Sequence, residues 1–206
     1  MPDFLFEQQA RLGGAHIICG VDEVGRGPLA GPVMAAAVII PVDRDGRPDL
    51  PLSLLSRLND SKKISAKQRE AIFPSLVDSV PHGIGIIPPD EIDRINILQA
   101  TFAAMVKAVE ALPTRPDYAL IDGNKVPPNL PCRGTPIIKG DSKSLSIAAA
   151  SIMAKVLRDR TMAQLAMEHP GYGWDRNAGY GTAEHRTAIA QLGLTPHHRR
   201  SFAGCR

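Results

Sequence analysis

At 206 residues the chain is long enough for one domain with a sizeable hydrophobic core. Hydrophobic residues make up 44% of it and the net charge is +3, which argues against disorder and permits a nucleic-acid partner without requiring one. The three cysteines form no CxxC pair, so the sequence argues against a disulfide framework and against a zinc site. We expect neither a signal peptide nor a membrane span, and therefore a cytoplasmic protein.

Short apolar runs predict five strands. The run at 16–21 stops at Asp22 and Glu23, and the run at 33–40 follows it, so the two runs predict a hairpin. Three further runs predict strands at 82–87, 118–121 and 136–138. Residues 42–62 are rich in Pro, Gly and Asp and are interpreted as a surface connection.

Helical patterns alternate with the later strands. Apolar residues recur every three or four positions from residue 90 to residue 109, which predicts an amphipathic helix. Residues 142–160 predict a second helix, whose small side chains would let it lie close against a sheet. A last helix is predicted at 183–192, with Gly193 at its C-terminal end. The alternation predicts an α/β fold around a mixed sheet.

Carboxylates follow three of the predicted strands. Asp22 and Glu23 follow the first run, Asp122 follows the run at 118–121, and Asp141 lies just beyond the run at 136–138. Acids beside a buried sheet are costly unless they are paired, hydrogen-bonded or metal-bound, and ligand sites form at the carboxyl ends of strands. An all-oxygen ligand set suits Mg²⁺ or Mn²⁺, and two such ions about 3.5–4 Å apart support phosphodiester hydrolysis. The acids therefore predict metal-assisted phosphodiester cleavage.

Each acid also has a purely structural interpretation. Asp22 and Glu23 could be solvated residues that open a turn, and Asp122 before Gly123 is a common turn composition. Asp141 is well placed to cap the N-terminus of the helix that follows it. The combination of the four acids, rather than any one of them, favours a metal site.

The segment Gly25-Arg26-Gly27 follows the first two acids directly. Its glycines allow close approach to a polymer backbone, and Arg26 supplies a guanidinium that matches phosphate geometry. The alternative is an ordinary flexible turn with one exposed arginine. Tyr180, between two glycines, is a candidate for stacking on a sugar or base, although a core or surface tyrosine is the usual alternative.

The C-terminal region contains further polar residues. His185, Arg199 and Arg200 could lie close to the site or at its rim. His197 and His198 form a pair without a third ligand at metal-binding spacing, so we interpret them as surface residues.

Over residues 16–202 the chain resembles bacterial ribonuclease HII, the type 2 ribonucleases H. The resemblance rests on motifs that occur in the family's order: CGVDEVGRGPLAGPV at 19–33, DSKK at 60–63, IDG at 121–123, KGD at 139–141 with SIAAAS at 146–151, GYGT at 179–182 with His185, and HRRSF at 198–202.

The resemblance implies a ribonuclease H-like fold, in which helices flank a mixed five-stranded sheet and a helical part ends the chain. We expect a single catalytic domain over residues 1–206, with an N-terminal extension at 1–15 and the helical part from about residue 168. The resemblance also implies that two Mg²⁺ or Mn²⁺ ions are held by four catalytic acids, Asp22, Glu23, Asp122 and Asp141.

The same resemblance implies how the substrate is recognised. Gly25, Arg26 and Gly27 would sense the ribose 2′-OH at an RNA–DNA junction, with Tyr180 packed on the neighbouring deoxyribose. Expected substrate contacts are completed by Lys62, Lys139, Ser142 and Lys143, whereas Lys63 is interpreted as a solvated surface residue.

The expected substrates are RNA–DNA hybrids and duplex DNA that contains ribonucleotides. Cleavage on the 5′ side of a ribonucleotide would leave 3′-hydroxyl and 5′-phosphate ends. The expected cellular roles are DNA replication and ribonucleotide excision repair. We expect the protein to be a monomer that needs no obligate protein partner and does not bind a membrane. Two alternatives remain open at this point: a junction resolvase or transposase-like nuclease of the same fold class, and a non-catalytic binder of RNA–DNA hybrids.

Overall fold

The computed structural model of the protein describes residues 1–58 and 64–205, and these ranges contain five strands, eight α-helices and two 3-10 turns. The strands are β1 (Ile18–Val24), β2 (Val33–Ile39), β3 (His82–Ile87), β4 (Tyr118–Asp122) and β5 (Arg133–Ile137). The helices are α1 (Leu5–Leu12), α2 (Leu52–Leu55), α3 (Ala66–Ser79), α4 (Pro89–Ile95), α5 (Ile97–Glu110), α6 (Leu145–Glu168), α7 (Trp174–Asn177) and α8 (Ala183–Leu192). The 3-10 turns cover Gly140–Ser142 and Ala203–Cys205.

The strands form one mixed sheet in the order β3-β2-β1-β4-β5. β2 pairs antiparallel with β1 and with β3, whereas β4 pairs parallel with β1 and with β5. The β1–β2 pairing confirms the predicted hairpin, and helices on both faces confirm the predicted α/β class.

Two long helices cover opposite faces of the sheet. α5 packs on β3 and β2, and α6 packs on β1 and β2. The approach of α6 is so close that a Cβ at Gly20 would overlap the backbone of Ser146 and Ile147. Alanines 148–150 of α6 are fully buried, as the small-residue pattern of the predicted helix implies.

Local capping interactions shift several predicted helix boundaries. The helix predicted from residue 90 is two helices, because Asn96 has a positive φ of 67° and its side chain accepts hydrogen bonds from the first turn of α5. α6 begins at Leu145, where Ser144 caps the N-terminus by accepting from the Ile147 N–H at 3.2 Å. The interpretation of Asp141 as that cap is therefore wrong.

The sequence patterns did not predict helices α2 and α3. Residues 42–62 were expected to form a surface connection, but α2 falls within them and buries Leu54 together with the adjacent Leu58. α3 begins with a reciprocal capping box between Ser65 and Gln68, a signature that is visible in the sequence. No described helix is long and apolar enough to cross a membrane.

The N-terminal helix α1 is anchored by one buried acid. Glu7 is 1% exposed, and its Oε1 accepts from the hydroxyls of Ser144 and Ser146 at 2.6 Å each and from the Ser146 N–H at 2.9 Å. These bonds fasten α1 to the N-terminus of α6, where a carboxylate also interacts favourably with the helix dipole.

The contact between β1 and α6 gives a direct test of the packing. Gly20→Ala should lower the free energy of unfolding by about 3 kcal/mol, because the new methyl overlaps helix backbone that cannot yield locally. Urea denaturation measures the change. Gly13→Ala is the control, since Gly13 has a φ of −78° and its nearest new neighbour is a carbonyl oxygen at 3.3 Å. Equal stabilities for the two variants would contradict this account of the packing.

Candidate active site

The parallel register of β1 and β4 brings two of the predicted acids side by side. Val21 pairs with Ile121, so the next residues along each strand are Asp22 and Asp122. β4 ends at Asp122, but β1 continues to Val24 along β2. The prediction that the first strand stops at its acids is therefore wrong, because pairing with β2 extends β1 through them.

Three carboxylates converge at this end of the sheet. One oxygen from each of Asp22, Glu23 and Asp122 lies within 4.8 Å of the other two. Asp22 is 5% exposed, and its Oδ1 accepts from the Glu23 N–H at 2.7 Å. The Oδ1 of Asp122 accepts from the Gly140 N–H at 2.7 Å. These bonds orient two of the carboxylates before any ligand arrives.

The fourth predicted acid lies beside this group. Asp141 is buried in the 3-10 turn Gly140–Ser142, and the bond from Gly140 to Asp122 holds that turn against the end of β4. The charge of Asp141 contributes to raising the pKa of Asp22, after larger effects from burial and the other two acids. Asp141 does not belong to the group whose oxygens lie within 4.8 Å of one another.

Electrostatics at this cluster favours a bound cation. The pKa of Asp22 lies well above its ordinary value because of burial and, next, the charges of Glu23 and Asp122, while a hydrogen bond from Ser151 opposes the rise. Burial also raises the pKa of Glu23, and Arg26, whose Nη1 lies 3.4 Å from the Glu23 carboxylate, partly offsets the rise. A divalent cation relieves this repulsion, and an all-carboxylate ligand set suits Mg²⁺ or Mn²⁺. The residues present therefore fit such an ion.

The backbone of the Gly25-Arg26-Gly27 loop is held from below by Arg199. This side chain is fully buried and donates to the carbonyl oxygens of Gly25 (2.6 Å), Arg26 (3.1 Å) and Gly31 (2.8 and 3.0 Å). Of the two positions left open for Arg199, the structure thus favours the one close to the site. Arg200 is exposed, and its N–H donates to Asp93.

A second buried arginine supports the same loop. Arg158 of α6 donates to the carbonyl oxygens of Ala30, Pro32 and Ala178 at 3.0–3.1 Å. Gly25 has a φ of 92°, and a Cβ there would overlap the Arg158 guanidinium, so this position requires glycine. Burial lowers the pKa of Arg158 to about 10 and that of Arg199 to about 9, which leaves both charged at neutral pH.

Tyr180 lies against the other end of the loop. A Cβ at Gly27 would be 3.5 Å from Cε1 of Tyr180, and the tyrosine is 47% exposed. Its carbonyl is 2.9 Å from Nδ1 of His185, a residue that is itself buried. Tyr180 therefore presents a ring to solvent beside the loop from a fixed backbone.

The interpretation of His197 and His198 as surface residues is wrong for His198. His198 is 2% exposed, and its Nε2 lies 3.1 Å from Nε2 of His185 while its Nδ1 accepts from the Thr195 N–H at 2.9 Å. The Trp174 indole N–H donates to the same His185 nitrogen at 3.0 Å. His197 is half-buried.

The remaining predicted contact residues flank the acids. Lys139 and Lys143 are exposed on either side of the turn that carries Asp141, and the Ser142 hydroxyl donates to the Lys139 carbonyl at 2.9 Å. Lys62 lies outside the described residues, together with the rest of the motif, Asp60, Ser61 and Lys63.

A cleft of about 300 Å³ opens beside the acids and includes residues that the sequence analysis missed. It is lined by Glu23, Arg26, Leu98, Thr101, Phe102, Met105, Asp122, Gly123, Asn124 and Lys125. Asn124 and Lys125 immediately follow a predicted site motif, and that adjacency was the available signal. Ser151 and Arg158 gave a weaker signal, as polar positions in a helix otherwise rich in small apolar residues.

Solved structures of similar fold are ribonucleases H. Ribonuclease H2 from Pyrococcus horikoshii aligns with a TM-score of 0.73 at 26% identity, covering 93% of this chain and 96% of that chain. A Bst ribonuclease HIII in complex with Mn²⁺ aligns with a TM-score of 0.67 at 22% identity, covering 92% of this chain and 68% of that chain, which shows a shared fold. The fold and the clustered acids thus define the class, a nuclease with a ribonuclease H-like fold.

Sequence comparisons give the family. The family model described as Ribonuclease HII matches residues 19–205. Relatives named Ribonuclease HII include one from Paramagnetospirillum magneticum, 56% identical over 203 residues (98% of this chain, 96% of the relative), and one from Rhodospirillum rubrum, 57% identical over 208 residues (100% and 91%). The chain belongs to the ribonuclease HII family of divalent-metal-dependent hydrolases, endoribonucleases that act on RNA–DNA hybrids.

Arg199→Lys tests the support beneath the loop. A lysine cannot reach three carbonyl oxygens at once, so we expect a loss of about 3 kcal/mol in unfolding free energy and a cleavage rate at least about tenfold lower. Urea denaturation and cleavage of an RNA–DNA hybrid measure the two effects. Arg200→Lys, at the exposed neighbouring position, is the control and should change the stability by less than about 0.5 kcal/mol.

Asp22→Asn tests the repulsion between the acids. In EDTA at mildly alkaline pH, the variant should be more stable than the wild type by about 1 kcal/mol, because one of three crowded charges is removed. Added Mg²⁺ should raise the melting temperature of the wild type more than that of the variant. A variant that is less stable in EDTA would refute the repulsion.

Proposed function

We propose that the protein nicks duplex DNA on the 5′ side of an embedded ribonucleotide, and cleaves the RNA strand of hybrids, leaving 3′-hydroxyl and 5′-phosphate ends. The observation that carries the proposal is the convergence of Asp22, Glu23 and Asp122 beside the Gly25-Arg26-Gly27 loop, in which Arg26 and Gly27 are exposed. In this proposal a phosphodiester bound at the acids has its neighbouring sugar within reach of the loop.

The four acids have distinct tasks in this proposal. Asp22, Glu23 and Asp122 bind the divalent cations, Mg²⁺ or Mn²⁺, and Asp141 completes the ligand set from its buried turn. Two ions held by these carboxylates would supply the activation of the attacking water and would offset the charge on the departing 3′ oxygen. The hydrogen bonds from the Gly140 and Glu23 N–H groups keep the carboxylates oriented for this task.

Recognition of the ribonucleotide depends on the loop and on Tyr180. The 2′-OH distinguishes RNA from DNA, and the exposed Gly27 leaves the loop backbone accessible to it, while the buried Gly25 lets the loop lie against Arg158. The exposed ring of Tyr180 packs on the next deoxyribose, which lacks that hydroxyl. Two buried guanidinium groups, those of Arg158 and Arg199, add positive charge beneath the loop and thereby favour a phosphate backbone above it.

The flanking cations hold the duplex by its phosphates. Arg26, Lys139 and Lys143 are exposed around the acids, and Lys125 lines the adjoining cleft. Lys62 and Ser142 belong to the same proposed set of substrate contacts. Binding should therefore weaken as salt rises. We further propose that the activity serves ribonucleotide excision repair and DNA replication.

The decisive experiment uses a DNA duplex with a single embedded ribonucleotide. The wild type should nick it on the 5′ side with Mg²⁺ or Mn²⁺ and fail to do so with EDTA. Asp22→Asn should abolish the nick and largely spare binding, because the ion site is lost while the cationic surface remains. Asp45→Asn removes an exposed carboxylate away from the site and should cleave like the wild type.

Four other outcomes would contradict the proposal or favour one of the alternatives. Cleavage of long hybrids without a nick at the single ribonucleotide would refute the role given to Arg26 and its loop. Cleavage of all-DNA junctions would favour the resolvase alternative, since those substrates lack a 2′-OH. Full activity of Asp22→Asn would disprove the assignment of the acids, and metal-independent binding without cleavage would favour the non-catalytic alternative.

A further inference from the structure

A second group of potential metal ligands lies outside the acidic site. Glu168, His169 and His197 each place one ligand atom within 4.8 Å of the other two. The residues come from two separate parts of the chain, the C-terminal end of α6 and the segment after α8. The His197–His198 pair therefore does have further ligands nearby in the fold, although none is near it in sequence.

The backbone on both sides of this group is fixed. His169 is the residue that ends α6, and its N–H still donates to the Leu165 carbonyl at 2.9 Å. His197 donates from its N–H to Oγ1 of Thr195 at 3.2 Å, and its carbonyl accepts from the Gly31 N–H at 2.8 Å. The two imidazoles are thus presented to each other from positions that hydrogen bonds hold in place.

The imidazole rings of His169 and His197 pack against each other and against Trp174, and their nitrogens are available as ligands. The ring of His169 contacts that of His197 edge-on, with centroids 5.0 Å apart, and both rings lie against Trp174 at 5.9 and 6.3 Å. Within residues 1–58 and 64–205, neither ring has a hydrogen-bond partner. His185 and His198, by contrast, use both ring nitrogens in the buried network.

The chemistry of the three side chains suits a different ion from the one at the acids. Two imidazoles and one carboxylate form an established zinc ligand set, with bonds of about 2.0–2.1 Å that place tetrahedral ligand atoms about 3.4 Å apart. The three ligand atoms already lie within 4.8 Å of one another, and Glu168 is exposed, so rotation of its side chain can bring its oxygen closer to the imidazoles. Its Oε1 accepts from the Gln164 amide at 3.0 Å, which leaves Oε2 available. Mg²⁺ prefers oxygen ligands alone, so this group selects against it.

We propose that Glu168, His169 and His197 bind Zn²⁺ or a chemically similar transition-metal ion, with water in the open fourth position. The ion would join the end of α6 to the segment that supports the Gly25-Arg26-Gly27 loop, since His197 accepts from Gly31 and Arg199 follows two residues later. Its role is structural: it stabilises the contact between α6 and the C-terminal segment.

Calorimetric titration of the full-length protein with Zn²⁺, in excess Mg²⁺ to occupy the acids, tests the site. The wild type should bind Zn²⁺, and His169→Gln and His197→Gln should each weaken that binding by at least about tenfold. His16→Gln, at an exposed histidine near β1, is the matched control and should bind like the wild type. Asp22→Asn should also retain binding, which separates this site from the acidic one.

A second measurement reports the ligand type directly. Co²⁺ in place of Zn²⁺ should show the visible absorption of a four-coordinate site in the wild type and in Asp22→Asn, and lose it in His169→Gln. If His197→Gln fails to fold, His169→Gln and Glu168→Gln, the latter at an exposed position, carry the test. Zn²⁺ binding that survives these substitutions, that requires Asp22, or that is absent from the wild type would overturn the proposal.

Discussion

The close packing of α6 on β1 is the constraint on which the rest of the structure depends. It requires glycine at position 20, because backbone of α6 occupies the space that a side chain would fill. The contact places Ser151 against Asp22 and, seven residues on along the same helix face, Arg158 beneath the Gly25 loop. One helix therefore positions both a partner of the acids and a support of the proposed substrate-sensing loop.

Much of this arrangement is visible in the sequence, for a physical reason. Strands buried on both faces leave continuous apolar runs, so acids that interrupt them are conspicuous. The parallel register of β1 and β4 then brings Asp22 and Asp122 together, as their positions after the two predicted apolar runs indicate. The extent of β1 past its acids was missed, because pairing with β2 is a property of the sheet and not of the local pattern.

The supports of the site were harder to predict because they depend on contacts between distant segments. Arg199 binds carbonyl oxygens some 170 residues away in sequence, as the separations of 168 and 174 residues for Gly31 and Gly25 show. No periodicity encodes such a contact. The same is true of His198, whose polar sequence context is typical of a surface turn although His185, Thr195 and Trp174 surround it.

The acidic cluster and the two buried arginines both place charge inside the fold, which lowers its stability unless the charge is compensated. Carboxylates that repel one another at a buried position destabilise the fold, whereas the same crowding favours a divalent cation between them. Burial of the two arginines is compensated by hydrogen bonds, because each guanidinium donates to backbone carbonyl oxygens rather than to an acid. The charges of Asp159 and Asp93 offset these two positive charges only from outside hydrogen-bond contact, and positive charge beneath the loop favours a polyanionic substrate.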